Sequence, residues 1–189
     1  MTLDGKTIAI LIAPRGTEEP EFAKPKAAVE QAGGNVVVVG LEAGEAQSVN
    51  HDLDPGATFA VDKAVRDVSA DDFDGLVIPG GSVGADKLRG SQPVVDFVHA
   101  FFAAGKPVAA ICHAPWTLVE ADVVKGRTLT SFPTLQTDIR NAGGTWVDRE
   151  VVVDQGLVTS RNPDDLPAFC AKLVEEFAEG RHAEQAVSA

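Results

Sequence analysis

The residues best suited to chemistry sit where an apolar run ends, in Pro107-Val108-Ala109-Ala110-Ile111-Cys112-His113-Ala114-Pro115-Trp116. The run before Cys112 reads as a buried strand and Pro115 suits the first turn of a helix, so Cys112 falls on a sharp strand-to-helix turn. A thiol held there stands at the carboxyl edge of a sheet and faces the positive end of the next helix, which favours nucleophilic attack. The competing assignment, a thiol that only fills core, fits poorly with His113 beside it and a proline two residues on. A second run, Leu76-Val77-Ile78-Pro79-Gly80-Gly81-Ser82, brings two glycines to the same edge. The N–H groups of Gly81 and His113 could then bind an oxyanion together, although a Pro-Gly-Gly sequence alone marks only a turn. Glu18 is the third group, in Arg15-Gly16-Thr17-Glu18-Glu19-Pro20-Glu21. Glu19 and Glu21 are accounted for as solvated charges at the positive end of a helix starting near Pro20. Glu18 turned inward would raise the thiol pKa if ionised, and lower it if protonated and donating to the sulfur.

The elements that must position these groups are legible as alternating apolar runs and helical stripes. Residues 7–13, 35–40, 75–78, 107–111 and 157–160 are short, apolar and bounded by Gly, Pro or Asp, as buried strands are. Pro93 opens a helix whose Val94, Phe97, Val98, Phe101 and Phe102 share one face, and Gly105 follows its end. A last helix is capped by Asn162 and carries Leu166, Phe169, Cys170, Leu173, Val174 and Phe177 as its stripe. Residues 150–154 and 157–160 make a hairpin turned at Gln155-Gly156. The similarity of residues 32–37 to 142–147 reflects two helix-to-strand junctions that use Gly caps, not a repeat. An α/β chain is expected, with a mostly parallel sheet, helices on both faces and a small antiparallel hairpin. Residues 1–180 are expected to form one domain and 181–189 a flexible tail.

Composition narrows the function. Of 189 residues, 28 are Asp or Glu and 16 Lys or Arg, a net charge of −12, and 44% are hydrophobic. The acidic balance, without a basic patch, disfavours nucleic-acid and membrane-surface binding. The N-terminal residues lack a basic leader, and the apolar stretch 8–13 is too short for a signal or a span, so a cytoplasmic location is expected. With only Cys112 and Cys170 there is no disulfide framework. Cys170 reads as core on its stripe, and no His/Cys/Asp/Glu spacing makes a convincing metal site.

Glu18, Pro79-Gly80-Gly81 and Ala110-Ile111-Cys112-His113-Ala114-Pro115, followed by Lys125-Gly126-Arg127-Thr128 and Ser131-Phe132-Pro133, resemble the PfpI/ThiJ family. This is the peptidase C56 group of the class I glutamine amidotransferase-like superfamily, and the resemblance spans roughly residues 6–178. It implies a flavodoxin-like three-layer sandwich, a cofactor-free site, and a homodimer or higher assembly with the site near the interface. It also implies Cys112 as nucleophile, Glu18 as the carboxyl bonding its sulfur, His113 as base, and the backbone of Gly81 and His113 as oxyanion donors. In peptidase-like members an acid from the neighbouring subunit completes a triad, and the matching position is Asp86. There the sequence departs, because those members carry Glu; Asp is shorter by a methylene and a hydrogen bond of about 3 Å could be lost. Adjacent residues at a turn also tend to diverge, which argues against the His113 ring reaching the sulfur. His99 lies within a helix, His51 in a polar loop, and the amidotransferase-like triplet His182-Ala183-Glu184 in the tail.

The leading expectation is a stress-response enzyme acting on reactive carbonyls: the Cys112 thiolate adds to glyoxal, methylglyoxal or their early protein adducts, and water releases a hydroxy acid. The alternatives are an intracellular cysteine peptidase, which needs His113 and Asp86 in place, and a non-catalytic redox sensor or chaperone-like stress protein. Local donors are expected to hold the Cys112 pKa below the ordinary value of about 8.5.

Overall fold

The structure is a computed structural model that describes residues 1–185. In chain order the strands are β1 (Thr7–Ile12), β2 (Arg15–Glu18), β3 (Asn35–Gly40), β4 (Gly44–Asn50), β5 (Asp54–Val61), β6 (Lys63–Ala64), β7 (Gly75–Ile78), β8 (Val108–Ile111), β9 (Thr128–Leu129), β10 (Thr145–Trp146), β11 (Val151–Asp154) and β12 (Leu157–Ser160). The α-helices are α1 (Glu19–Gln31), α2 (Ser82–Arg89), α3 (Gln92–Ala103), α4 (Pro115–Glu120), α5 (Gln136–Asn141) and α6 (Leu166–Glu179).

A seven-stranded sheet in the order β11-β12-β8-β7-β1-β3-β6 runs through the middle, parallel except for the β11–β12 pair. The pleat of β1 explains the three layers. Ile8, Ile10 and Ile12 face one way and pack with Phe22 and Val29 of α1 and Phe169, Leu173 and Phe177 of α6. Ala9 and Leu11 face the other way, against Val94, Val98, Phe101 and Phe102 of α3. Because both faces are covered, the central strands β7 and β8 are buried along their whole length and read as unbroken apolar runs. This is the expected flavodoxin-like architecture. The hairpin forms as expected, with Gln155 (φ 51°) and Gly156 (φ 80°) both left-handed in its two-residue turn.

Two parts differ from the sequence reading. The loop that holds His51 is the tip of a second sheet, β2-β4-β5, in which β4 and β5 are antiparallel. Its segments GEAQSVN and DPGATFAV are too polar and too rich in Gly and Pro to show strand alternation. The other difference is at the C-terminus. Residues 181–185, expected to be loose, are docked: His182 N–H donates to Gly105 O (2.8 Å), the Arg127 guanidinium donates to Gln185 O (2.7 Å), and Gln185 is fully buried. Residues 186–189 of that expected tail lie outside the described residues. Among the described residues no helix is long and apolar enough to cross a membrane.

Candidate active site

The carboxyl ends of β1, β7 and β8 converge on Cys112. The chain leaves β8 at Ile111, and Cys112 adopts φ 63°, a left-handed conformation that a non-glycine residue keeps only when its surroundings hold it. They do so on both sides: Cys112 N–H donates to Ser160 O (3.0 Å), Phe132 N–H donates to Cys112 O (2.8 Å), and Ala114 N–H donates to Ile111 O (3.0 Å). Gly80 is needed beside this turn, because a Cβ there would stand 2.7 Å from Cys112 Cβ and from Ile111 O. Gly81 has φ 91° and caps α2, and a Cβ on it would meet Glu18 N at 2.7 Å. The N–H groups of Gly81 and His113, the pair expected to serve an oxyanion, both act on the Cys112 sulfur and favour its ionised form.

The carboxyl at the sulfur is Glu21, and this corrects the assignment to Glu18. Glu21 is fully buried in the first turn of α1; its Oε2 accepts from Gly80 N–H (3.0 Å), its Oε1 has no hydrogen-bond partner among the described residues, and the carboxyl lies beside Cys112, both standing against Gly80. Glu18 ends β2 and points to the neighbouring loop, where its carboxylate accepts from His51 N–H (2.8 Å) and Asp52 N–H (3.1 Å). The reason is local: a strand residue and a residue in the helical turn that follows face different directions, and only the helical one is aimed back under the sheet edge. A signal was present, since Glu21 lies on the buried stripe of Phe22, Pro25 and Val29, where a solvated charge does not belong. Glu19 is not free either; it accepts from Ala57 N–H (2.6 Å) and Ser48 Oγ–H (3.0 Å) and so clasps the β4–β5 hairpin.

His113 overturns the geometric objection raised against it. Because Cys112 is left-handed, the next side chain swings back, and His113 Nδ1 lies 3.2 Å from Sγ. The ring is stacked on Phe132 (centroids 4.6 Å apart) and meets the edge of Trp116, while Nε2 is 3.4 Å from Ser82 Oγ. Asp86 is not part of the cluster. It lies exposed on α2, paired with Arg89 (3.5 Å), and does not line the cavity over Cys112. Asp52, which the sequence reading did not single out, does: its Oδ1 accepts from Ser82 N–H (2.9 Å) at the start of α2, and its charge faces His113. His51 and Asp52 are both left-handed (φ 54° and 64°), a turn that the Glu18 carboxylate holds closed. Asp52 left no trace in the sequence because its role depends wholly on that tertiary turn.

Above the sulfur is a cavity of about 140 Å³, walled by Glu18, Glu21, Asp52, His113, Phe132 and Pro163 among others. Its electrostatics follow from burial. Desolvation pushes the Glu21 carboxyl up to about 8, against the adjoining Cys112, which pulls it down. Desolvation, then the charge of an ionised Glu21, pushes the Cys112 thiol up, and the N–H groups of Gly81 and His113 oppose this. The expected depression of the thiol pKa is therefore reversed, because burial outweighs local donors. Burial also pushes His113 down, so its ring is neutral at pH 7. Two acids in contact that both resist ionisation give up their protons as a unit, and the pair never carries two charges in the neutral range.

The DJ-1/PfpI family profile matches residues 6–176. The chain belongs to the DJ-1/PfpI family. Protein/nucleic acid deglycase 2 of Escherichia coli is 42% identical over 165 residues, covering 87% of this chain and 93% of that protein. YraA of Bacillus subtilis, which carries a provisional cysteine-protease name, is 43% identical over 164 residues, 87% and 94% of the two chains. The crystal structure of Drosophila melanogaster DJ-1beta superposes with a TM-score of 0.82 at 31% identity, over 98% of this chain and 94% of that one. Homologues with deglycase and cysteine-protease names support a hydrolytic or lyase enzyme in general.

Proposed function

We propose that the protein is a Cys112-dependent enzyme of small reactive carbonyls, converting glyoxal or methylglyoxal, or releasing their early adducts from proteins. The observation that carries this reading is the size and lining of the cavity: about 140 Å³, lined by Phe132, Pro163 and the His51–Asp52 turn, with one thiol at its floor. Its volume suits a two- or three-carbon dicarbonyl. In the singly ionised pair, the proton placed on Glu21 leaves a thiolate that the Gly81 and His113 N–H groups stabilise. The sulfur adds to the aldehyde carbon, forming a C–S bond, and the carbonyl electrons go to oxygen, which takes the proton from Glu21 and leaves that carboxylate free to act as base. Removal of the former aldehyde proton to Glu21 and its return to the adjacent carbon oxidises the first carbon and reduces the second. The resulting thioester is hydrolysed, so that methylglyoxal plus water balances to lactic acid with no external oxidant. The test compares lactate release from methylglyoxal with cleavage of unfolded casein. Lactate without peptide products supports the reading, and peptide products without lactate overturn it.

The peptidase reading draws on the name of YraA and needs Asp86, exposed on α2, to reach the site of a neighbouring subunit with one methylene less than the Glu of peptidase-like members. A homodimer or larger assembly in the cytoplasm, with the Asp86 segment at its interface, belongs to the same proposal.

A further inference from the structure

We propose that Glu176, Glu179 and His182 form a divalent transition-metal site, separate from the Cys112 cavity, that fastens the C-terminal segment to α6. Glu176 and Glu179 are one turn apart at the end of α6 and share a face. Gly180, with φ 89°, stops the helix and turns the chain back, and the His182 N–H bond to Gly105 O (2.8 Å) fixes the return. The imidazole is thereby brought over the two carboxylates, and one oxygen from each and the ring nitrogen lie within 4.8 Å of one another.

Two features separate this cluster from an ordinary surface group of acids. His182 Nε2 is itself buried and makes no hydrogen bond, although Glu176 Oε2 is 3.4 Å away. That spacing is what two ligands about 2.1 Å from one tetrahedral ion adopt, and the pair does not align as donor and acceptor. Next to the ring, Gln185 is fully buried with neither its amide oxygen nor its nitrogen partnered among the described residues, and both side chains abut Gly156. Buried polar atoms left without partners are costly unless something fills the space between them. One imidazole and two carboxylates suit Zn²⁺ or a neighbour such as Co²⁺ better than Ca²⁺ or Mg²⁺. Glu179 is exposed, which leaves an open side for a water ligand or exchange.

The sequence spacing Glu176-x-x-Glu179-x-x-His182 matches no zinc motif, because the third ligand depends on where a glycine sends the chain after the helix. The experiment titrates ZnCl₂ calorimetrically into the whole chain and into Cys112→Ser, His182→Ala and Glu179→Gln variants, with circular dichroism to establish that each is folded. The expected result is one site that Cys112→Ser retains and that each of the other two weakens at least tenfold. Zn²⁺ should also raise the melting temperature of the Cys112→Ser protein but not of the Glu179→Gln protein. Glu179 is exposed, so its substitution tests the site even where His182→Ala disturbs the fold. Binding that vanishes with Cys112→Ser and is untouched by Glu179→Gln would overturn the proposal, as would no binding at 100 μM, a concentration on the order of weak surface sites.

Discussion

Replacing Glu21 with Gln tests the electrostatics of the site through stability. The native carboxyl is held protonated up to about pH 8, while in the unfolded chain it ionises near 4.5. A carboxyl whose folded pKa is raised leaves stability intact below the unfolded value and costs progressively more as pH rises towards the folded one. At about 1.4 kcal/mol per unit, the native state loses roughly 3 kcal/mol between pH 4.5 and pH 7 through this group alone. Gln does not titrate, and its amide can still accept from Gly80 N–H and donate to the sulfur. Urea unfolding of wild type and Glu21→Gln in steps from pH 5 to pH 8 should show the variant gaining on the wild type by about 1 kcal/mol per pH unit. The gain should level off above pH 8. A pH-independent difference, or a wild type that gains on the variant as pH rises, would refute the assignment of a buried protonated carboxyl to this position.

Other outcomes follow from single contacts. Cys112→Ala should abolish lactate formation while Cys170→Ala keeps most of it, since Cys170 is a packing residue whose thiol burial pushes up to about 11; equal losses in two folded variants would contradict this. Glu18→Gln should lower stability by about 2 kcal/mol, because an amide oxygen cannot hold both the His51 and Asp52 N–H groups as a carboxylate does, and should raise KM more than it lowers kcat. Melting temperature and steady-state kinetics measured together check it, and an unchanged KM would separate that loop from substrate binding. Gly81→Ala should be inactive, since its Cβ would collide with Gly16 O and the residue sits at φ 91°; activity above a tenth of wild type would show that the Gly81 donor is dispensable. Asp86→Asn should leave methylglyoxal turnover within about twofold. Sedimentation at micromolar concentration should give a dimer or larger species, and a monomer would remove any intersubunit role for that residue.

The fold was legible wherever burial alone dictates residue type. The runs 75–78 and 107–111 are apolar because both faces of the sheet are covered, and the phenylalanine stripes of α3 and α6 sit where their period places them. The elbow at Cys112 and the donors at Gly81 and His113 were legible for a related reason: a turn that tight admits few residue types. The β2-β4-β5 sheet was not, since its strands put only Ala46, Phe59 and Val61 on the core and Glu18 and Glu19 clasp the rest. The same blindness misplaced the key carboxyl. In Glu18-Glu19-Pro20-Glu21 every acid suits a helix N-terminus, and only the fold shows that each is spent on a different buried contact. His113 was doubted from averages over turns, and the left-handed Cys112 is the exception that brings ring and sulfur together.

The central claim is that the Cys112 sulfur attacks an aldehyde and that Glu21 moves the proton afterwards. The most direct measurement follows methylglyoxal labelled with ¹³C at its aldehyde carbon by NMR, with wild type, Glu21→Gln and Cys112→Ala. Wild type should move the label into the carboxyl carbon of lactate. Glu21→Gln should hold it as a protein-bound thiohemiacetal carbon, and Cys112→Ala should leave it in free, hydrated aldehyde. Labelled lactate from Cys112→Ala, or a Glu21→Gln protein that turns over at the wild-type rate with no bound carbon, would contradict the account.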